Sequence, residues 1–144
     1  MPKIIENLEA RLIAEAKKQL QEFGYSAVTI RSVAKGCGVG VGTVYNYFPS
    51  KEALLATFML ESWNQCVATI CRIGEAATEP EAVLRCIYEQ LLQFSDTHRS
   101  VFRDEAAASA FAASSGRYHA MLRSQLAAPI RKFCGDSFCA EFVA

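Results

Sequence analysis

The chain has 144 residues, is 51% hydrophobic and carries no formal net charge, so it can bury a core but has no bulk charge with which to hold a polyanion. No stretch approaches the roughly 20 apolar residues of a membrane span, and the charged, amphipathic N-terminus lacks the apolar run of a signal peptide. Cys37, Cys66, Cys71, Cys86, Cys134 and Cys139 form no CxxC pair and have no histidine at ligand spacing, which argues against a zinc box and points to reduced, buried thiols in a cytoplasmic protein.

Few glycines and prolines and short β-branched runs favour an all-helical chain. A first helix is predicted over residues 4–23, with Leu8, Leu12, Ala16 and Leu20 as its buried stripe. Thr29 is placed to cap a second helix, whose Ile30, Val33 and Ala34 share one face. Cys37-Gly38 ends it, since glycine readily takes the left-handed conformation of a helix terminus. A third helix is predicted over 41–47. It is too short to stand alone and is held to the core by Val44 and Phe48. Val41, Gly42, Thr43, Tyr45, Asn46 and Tyr47 are left facing wholly or partly outward. Two exposed tyrosines and an asparagine suit contact with phosphates and base edges better than mere solubility.

The fourth helix is expected over 50–74, capped by Ser50 and ended by Gly74, with a wide apolar face that includes Leu55, Phe58, Met59, Trp63, Cys66 and Ile70. Pro80 fits the first turn of a fifth helix running to residue 94, with Val83, Leu84, Ile87, Tyr88, Leu91 and Leu92 inward. Residues 95–97 read as a loop. A sixth helix spans 101–113, Ser114-Ser115-Gly116 breaks the chain, and a seventh spans 117–133 and is ended by Gly135. A last helix, 137–144, stops on apolar Phe142-Val143-Ala144 without a polar finish. His98 and His119, beside loops, read as surface groups.

The segment from Thr29 to Lys51 has the parts of a helix-turn-helix in order. It resembles the tetracycline-repressor (TetR) family of bacterial transcription regulators over residues 12–55. Leu12, Ala16, Leu20 and Phe23-Gly24-Tyr25 are similar to the end of that family's first helix. Thr29, Val33, Ala34 and Gly38-Val39 are similar to its second helix and turn. The ungapped run Gly42-Thr43-Val44-Tyr45-Asn46-Tyr47-Phe48-Pro49-Ser50-Lys51-Glu52-Ala53-Leu54 is similar to its recognition helix and the start of its fourth. One departure is Gly40, where the family usually carries Ser or Thr. Glycine still caps tolerably but offers no hydroxyl to a phosphate.

The resemblance implies a helix-turn-helix domain, residues 1–49, followed by a helical effector-binding and dimerisation domain, residues 50–144. Residues 1–55 hold seven Lys/Arg against five Asp/Glu, the remainder eight against ten; the bias is slight, and only Arg31, Lys35 and Lys51 around the motif make it count. The expected DNA-contacting set is Thr29, Arg31, Val41, Gly42, Thr43, Tyr45, Asn46, Tyr47 and Lys51. Tyr45 and Tyr47 would reach phosphates. Thr43, Val41 and Gly42 would approach base edges, and Asn46 could pair with adenine. Lys51 lies in the first turn of a helix, where the dipole disfavours a cation unless a phosphate sits beside it.

In the second domain an apolar effector is expected among Phe58, Trp63, Cys66, Tyr88, Phe94, Phe102, Tyr118 and Met121, although aromatics at helical spacing are more often plain core. The family's mechanism implies a repressor released by effector from a palindromic DNA operator, acting as a homodimer in the complete protein. Its two closing helices are represented here by the first turns of one, so the chain reads as truncated. No nucleophile–base pair, phosphate loop or paired carboxylates suggest an enzyme, and neither cofactor, metal nor membrane partner is expected. The other reading is a helical ligand-binding or interaction module without effective DNA binding.

Overall fold

The structure, a computed structural model, describes residues 7–134, apart from the side chains of residues 113–115. The described residues contain helices and no strand, as the composition implies. By packing they divide into two units. One comprises residues 7–60 with 100–110, the other residues 61–99 with 111–134.

In the first unit, α1 (Leu8–Phe23) packs on α2 (Ile30–Cys37), and α2 on α3 (Val41–Tyr45). Leu12, Ala16 and Leu20 of α1, Val33 and Ala34 of α2 and Val44 of α3 are all buried, the stripes expected from their spacing. Polar contacts complete the α1–α2 seam. The Arg11 guanidinium donates to the Cys37 carbonyl at 3.1 Å, and Gln19 Nε2 donates to the Ser32 carbonyl at 3.0 Å. Gly24, at φ +83, closes α1 by donating its N–H to the Leu20 carbonyl, and a short 3-10 turn, Tyr25–Ala27, follows. α4 (Lys51–Ala76) starts where expected, because Ser50 Oγ accepts the Ala53 N–H at 3.1 Å.

The second unit has its core at Ile70, Val83, Cys86 and Ile130, with Ile73, Ile87, Leu126 and Phe133 packed around them. Several sequence expectations change here. Gly74 does not end α4. It is buried within the helix, and a Cβ there would lie 2.8 Å from Pro129 Cβ; the glycine serves close approach rather than termination. α5 (Pro80–Thr97) continues through 95–97, where Thr97 satisfies its hydroxyl on the Gln93 carbonyl and Asp96 pairs with Arg99. Its buried face carries Val83 and Cys86, while Leu84, Tyr88, Leu91 and Leu92, expected inward, are exposed. His98, expected at the surface, is fully buried against the Phe94 ring at 4.5 Å.

The predicted sixth helix divides. α6 (Arg99–Phe102) is a single turn, and α7 (Glu105–Ala127) begins when Asp104 Oδ1 accepts the N–H groups of Ala106 and Ala107. α7 then passes through 114–116 without a break. Its alanine-rich flanks keep propagating the helix at a cost of about 1 kcal/mol for the glycine, less than stopping and nucleating again. It ends in the 3-10 turn Ala128–Ile130 at Pro129. Residues 4–6 of the expected first helix, Gly135 and the expected helix 137–144 lie outside the described residues.

The Gly74 packing has a measurable consequence. Gly-to-Ala in a helix interior ordinarily gains about 1 kcal/mol. Gly74→Ala should gain none of it, because the new methyl group must displace the Pro129 ring. Urea denaturation should give a midpoint at or below the parent's, and a rise worth the full helix propensity would disprove the tight contact.

Candidate functional site

The helix-turn-helix is assembled from local devices. Thr29 has extended backbone and its hydroxyl accepts the Ser32 N–H at 2.9 Å, while Ser32 Oγ accepts the Thr29 N–H at 2.9 Å. This reciprocal box satisfies two otherwise free donors and sets where α2 begins. Gly38, at φ +69, ends α2 by returning its N–H to the carbonyls of Ala34 and Lys35. Gly40 starts α3 with its carbonyl alone, accepting from Thr43 at 3.0 Å and Val44 at 3.3 Å. α3 is shorter than the predicted 41–47. The N–H groups of Tyr47 and Phe48 both turn back to the Val44 carbonyl, tightening the last turn and leaving Asn46 and Tyr47 just beyond the helix.

Val44 and Phe48 face inward, and Val41, Gly42, Tyr45, Asn46 and Tyr47 are exposed; Thr43 is half-buried. Arg31 is exposed in the first turn of α2. Beside α3 opens a cleft of about 740 Å³, lined by Val28, Thr29, Ile30, Arg31, Val41, Tyr45, Pro49, Ser50, Lys51 and Glu52. Five of the nine expected DNA contacts therefore share one concavity: Thr29, Arg31, Val41, Tyr45 and Lys51. Gly42, Thr43, Asn46 and Tyr47 do not line it. Pro49, Ser50 and Glu52 are not among the expected contacts; the signal for them is adjacency to Lys51 in the same run of turn and helix-start residues. The Thr29 hydroxyl oxygen is engaged in its cap as the acceptor of the Ser32 N–H, so Thr29 shapes the wall while it sets the start of α2.

Lys51 does not project freely. Its ammonium donates to the Tyr25 carbonyl at 2.7 Å and lies 3.7 Å from the centroid of the Tyr25 ring. Burial lowers its pKa, partly offset by the charges of Glu52 and Asp104. The Tyr25 hydroxyl in turn donates to Glu52 Oε1 at 3.0 Å. The Glu52 carboxyl is held below the usual carboxylate range, first by its own backbone N–H, then by the Tyr25 and Ser50 hydroxyls and Lys51. Burial and then the Glu52 carboxylate push the Tyr25 phenol up to about 12. A phenol raised on folding contributes stability that is complete below its unfolded value of 10.0 and is lost as pH climbs toward about 12. Ultraviolet titration should show one late-ionising tyrosine, absent in Tyr25→Phe; no change in that titration on substitution would overturn the assignment.

The residues expected around an effector are dispersed. Phe58 is buried and Phe102 is exposed, both in the first unit. In the second unit Trp63 and Cys66 are buried, and Trp63 meets Phe94 edge-on at 5.4 Å. The indole N–H donates to Gln125 Oε1 at 2.7 Å. Tyr88 is exposed on α5, whose buried arc passes through Val83 and Cys86 instead, and Tyr118 and Met121 are exposed on α7. Among the described residues no group of three His, Cys, Asp or Glu side chains is placed to hold a metal, and no helix is long and apolar enough to cross a membrane.

Residues 12–57 match the family described as "Bacterial regulatory proteins, tetR family". The HTH-type transcriptional regulator EthR of Mycobacterium tuberculosis is 30% identical over 107 residues, which take in 73% of this chain and 50% of that protein. The uncharacterized HTH-type transcriptional regulator YhgD of Bacillus subtilis is 33% identical over 105 residues, 67% of this chain and 52% of that one. Among solved structures, a TetR-family transcriptional regulator from Streptomyces coelicolor superposes with a TM-score of 0.67 at 16% identity, over 94% of this chain and 75% of that one, a likeness of fold. The chain spans about half the length of these two curated relatives.

Proposed function

Because this chain belongs, through residues 12–57, to the tetR family of bacterial regulatory proteins, we propose that it is a DNA-binding transcriptional regulator, a repressor that leaves a palindromic operator when a small apolar or aromatic effector binds. It acts in the cytoplasm, it is a regulator rather than an enzyme, and the complete protein works as a homodimer. The observation that carries the reading is the exposed face of α3 beside the cleft: the Tyr45 hydroxyl and the Arg31 guanidinium share its lining, with Val44 and Phe48 anchoring the helix from behind.

Arg31, Tyr45 and Tyr47 supply phosphate contacts, which position without reading sequence. Thr43 and Asn46 meet base edges, and Val41 and Gly42 let the backbone approach a thymine methyl. At Gly42 a Cβ would meet nothing within 4 Å, so the chain itself leaves this approach open. Paired subunits would place two such faces one helical turn apart, which is why the operator is a near-palindrome. The reader, residues 1–49, serves a helical effector domain, residues 50–144. There the aromatic neighbourhood of Trp63, Phe94 and Cys66 is the best-supported place for an apolar effector.

Release requires that effector bind the DNA-incompetent state more tightly than the competent one. The test is retention of duplex DNA by the chain at low salt. Tyr45→Phe should weaken all duplexes about equally, whereas Asn46→Ala and Thr43→Val should change which duplex is preferred from a random pool, by about 1–3 kcal/mol per lost base contact. Failure of the parent chain to retain any duplex would favour the helical interaction module instead.

A further inference from the structure

A lysine in the first turn of a helix opposes the helix dipole, so something must hold Lys51 there. Two occupants can. One is an external phosphate; the other is an acceptor within the chain. The structure supplies the second in full. The ammonium sits on the Tyr25 carbonyl at 2.7 Å and against the face of the Tyr25 ring at 3.7 Å, a charge-assisted hydrogen bond and a cation–π contact made by one group. The next residue, Glu52, takes the hydroxyl at the far end of the same ring at 3.0 Å. Tyr25 is thus gripped at its carbonyl, its face and its hydroxyl by two consecutive residues of α4, and it is itself buried.

The charges agree with the geometry. Burial lowers the Lys51 pKa and the carboxylates of Glu52 and Asp104 offset this in part, so its positive charge is partly balanced from within the chain. A cation so balanced has less counterion-release energy to offer a phosphate. Glu52, on the wall of the same cleft, would also repel a phosphate brought to that spot.

We propose that Lys51 is a positioning residue rather than a phosphate contact: with Glu52 it locks the start of α4 onto Tyr25, and so fixes the cleft wall against which DNA docks. The proposal rests on the DNA-reading function proposed above. Arg31, exposed in that cleft, then becomes its principal phosphate-neutralising cation.

The experiment is a salt titration of DNA binding by the full 144-residue chain, using one duplex enriched from a random pool by the parent. Lys51→Met should weaken binding about tenfold at every salt concentration and leave the slope of log K against log salt at the parent value. Arg31→Met should flatten the slope by about 0.9 for each neutralised phosphate lost. Tyr25→Phe, which removes only the hydroxyl donated to Glu52 and leaves every charge in place, should weaken binding with the parent slope, in the manner of Lys51→Met. Lys51→Gln keeps a neutral donor for the Tyr25 carbonyl; it should recover part of the affinity, again with the parent slope, and it serves if Lys51→Met fails to fold. A slope flattened by Lys51→Met or Lys51→Gln as much as by Arg31→Met overturns the proposal, as does unchanged affinity in both Lys51 variants. A parent chain that enriches no duplex defeats the DNA-reading function itself, and the positioning role with it.

Discussion

Phe48→Ala is expected to abolish DNA binding and to destabilise the chain by about 3–5 kcal/mol, the usual cost of emptying a buried phenylalanine site. The recognition helix is five residues long and buries Val44 alone within its span, too little to hold a helix that cannot stand by itself. Phe48, 4% exposed, is the second anchor, and its N–H closes the last turn on the Val44 carbonyl at 2.9 Å. Removing the ring leaves a void under the turn that carries Asn46 and Tyr47. The contrast is Tyr47→Ala. Tyr47 is 42% exposed, so its loss should change stability by no more than about 0.5 kcal/mol while still weakening DNA binding. Denaturation followed by circular dichroism separates the two. Equal stability losses for Phe48→Ala and Tyr47→Ala would mean that the anchoring is wrongly assigned.

Trp63→Ala should cost a similar 3–5 kcal/mol in the second unit, and there a polar bond adds a finer test. The indole N–H of this sole tryptophan ends on Gln125 Oε1 at 2.7 Å. Gln125→Leu fills comparable space but withdraws the acceptor, which should cost about 1–3 kcal/mol for the donor left behind. Tryptophan emission should shift to shorter wavelength as the indole loses its hydrogen bond. Unfolding read by that emission reports the second unit directly. If Gln125→Leu matches the parent in both stability and emission, the indole has another acceptor.

The reader was legible in the sequence because its determinants are local. Thr29 and Gly38 fix the two ends of α2 through bonds spanning a few residues, and Val44 and Phe48 fall four apart on an inward face. The second unit was less legible because its decisions are made at a distance. α5 carries apolar residues on two arcs. Whether Val83 and Cys86 or Leu84 and Tyr88 face inward depends on which arc meets Ile70 and Ile130, and periodicity alone cannot choose between them. Gly74 bears the local mark of a helix end, yet Pro129 explains it. Lys51 is the instructive case. Its mismatch with the helix dipole was visible in the sequence, but the compensating group is a backbone carbonyl 26 residues away, and a carbonyl leaves no trace in residue identity.

The first packing unit is discontinuous: residues 100–110 pack with residues 7–60, and Asp104 joins them, its Oδ2 accepting from the Ser26 hydroxyl at 3.4 Å while its Oδ1 starts α7. This bears on how the protein is made. Domains form as units during synthesis, earliest segments first. The three reader helices are synthesised before Asp104, so the turn at Ser26 lacks this hydrogen-bond partner until residue 104 has been made. The order of synthesis and the order of completion therefore differ: the reader helices precede residues 100–110 along the chain, yet their packing unit closes only when that later segment arrives.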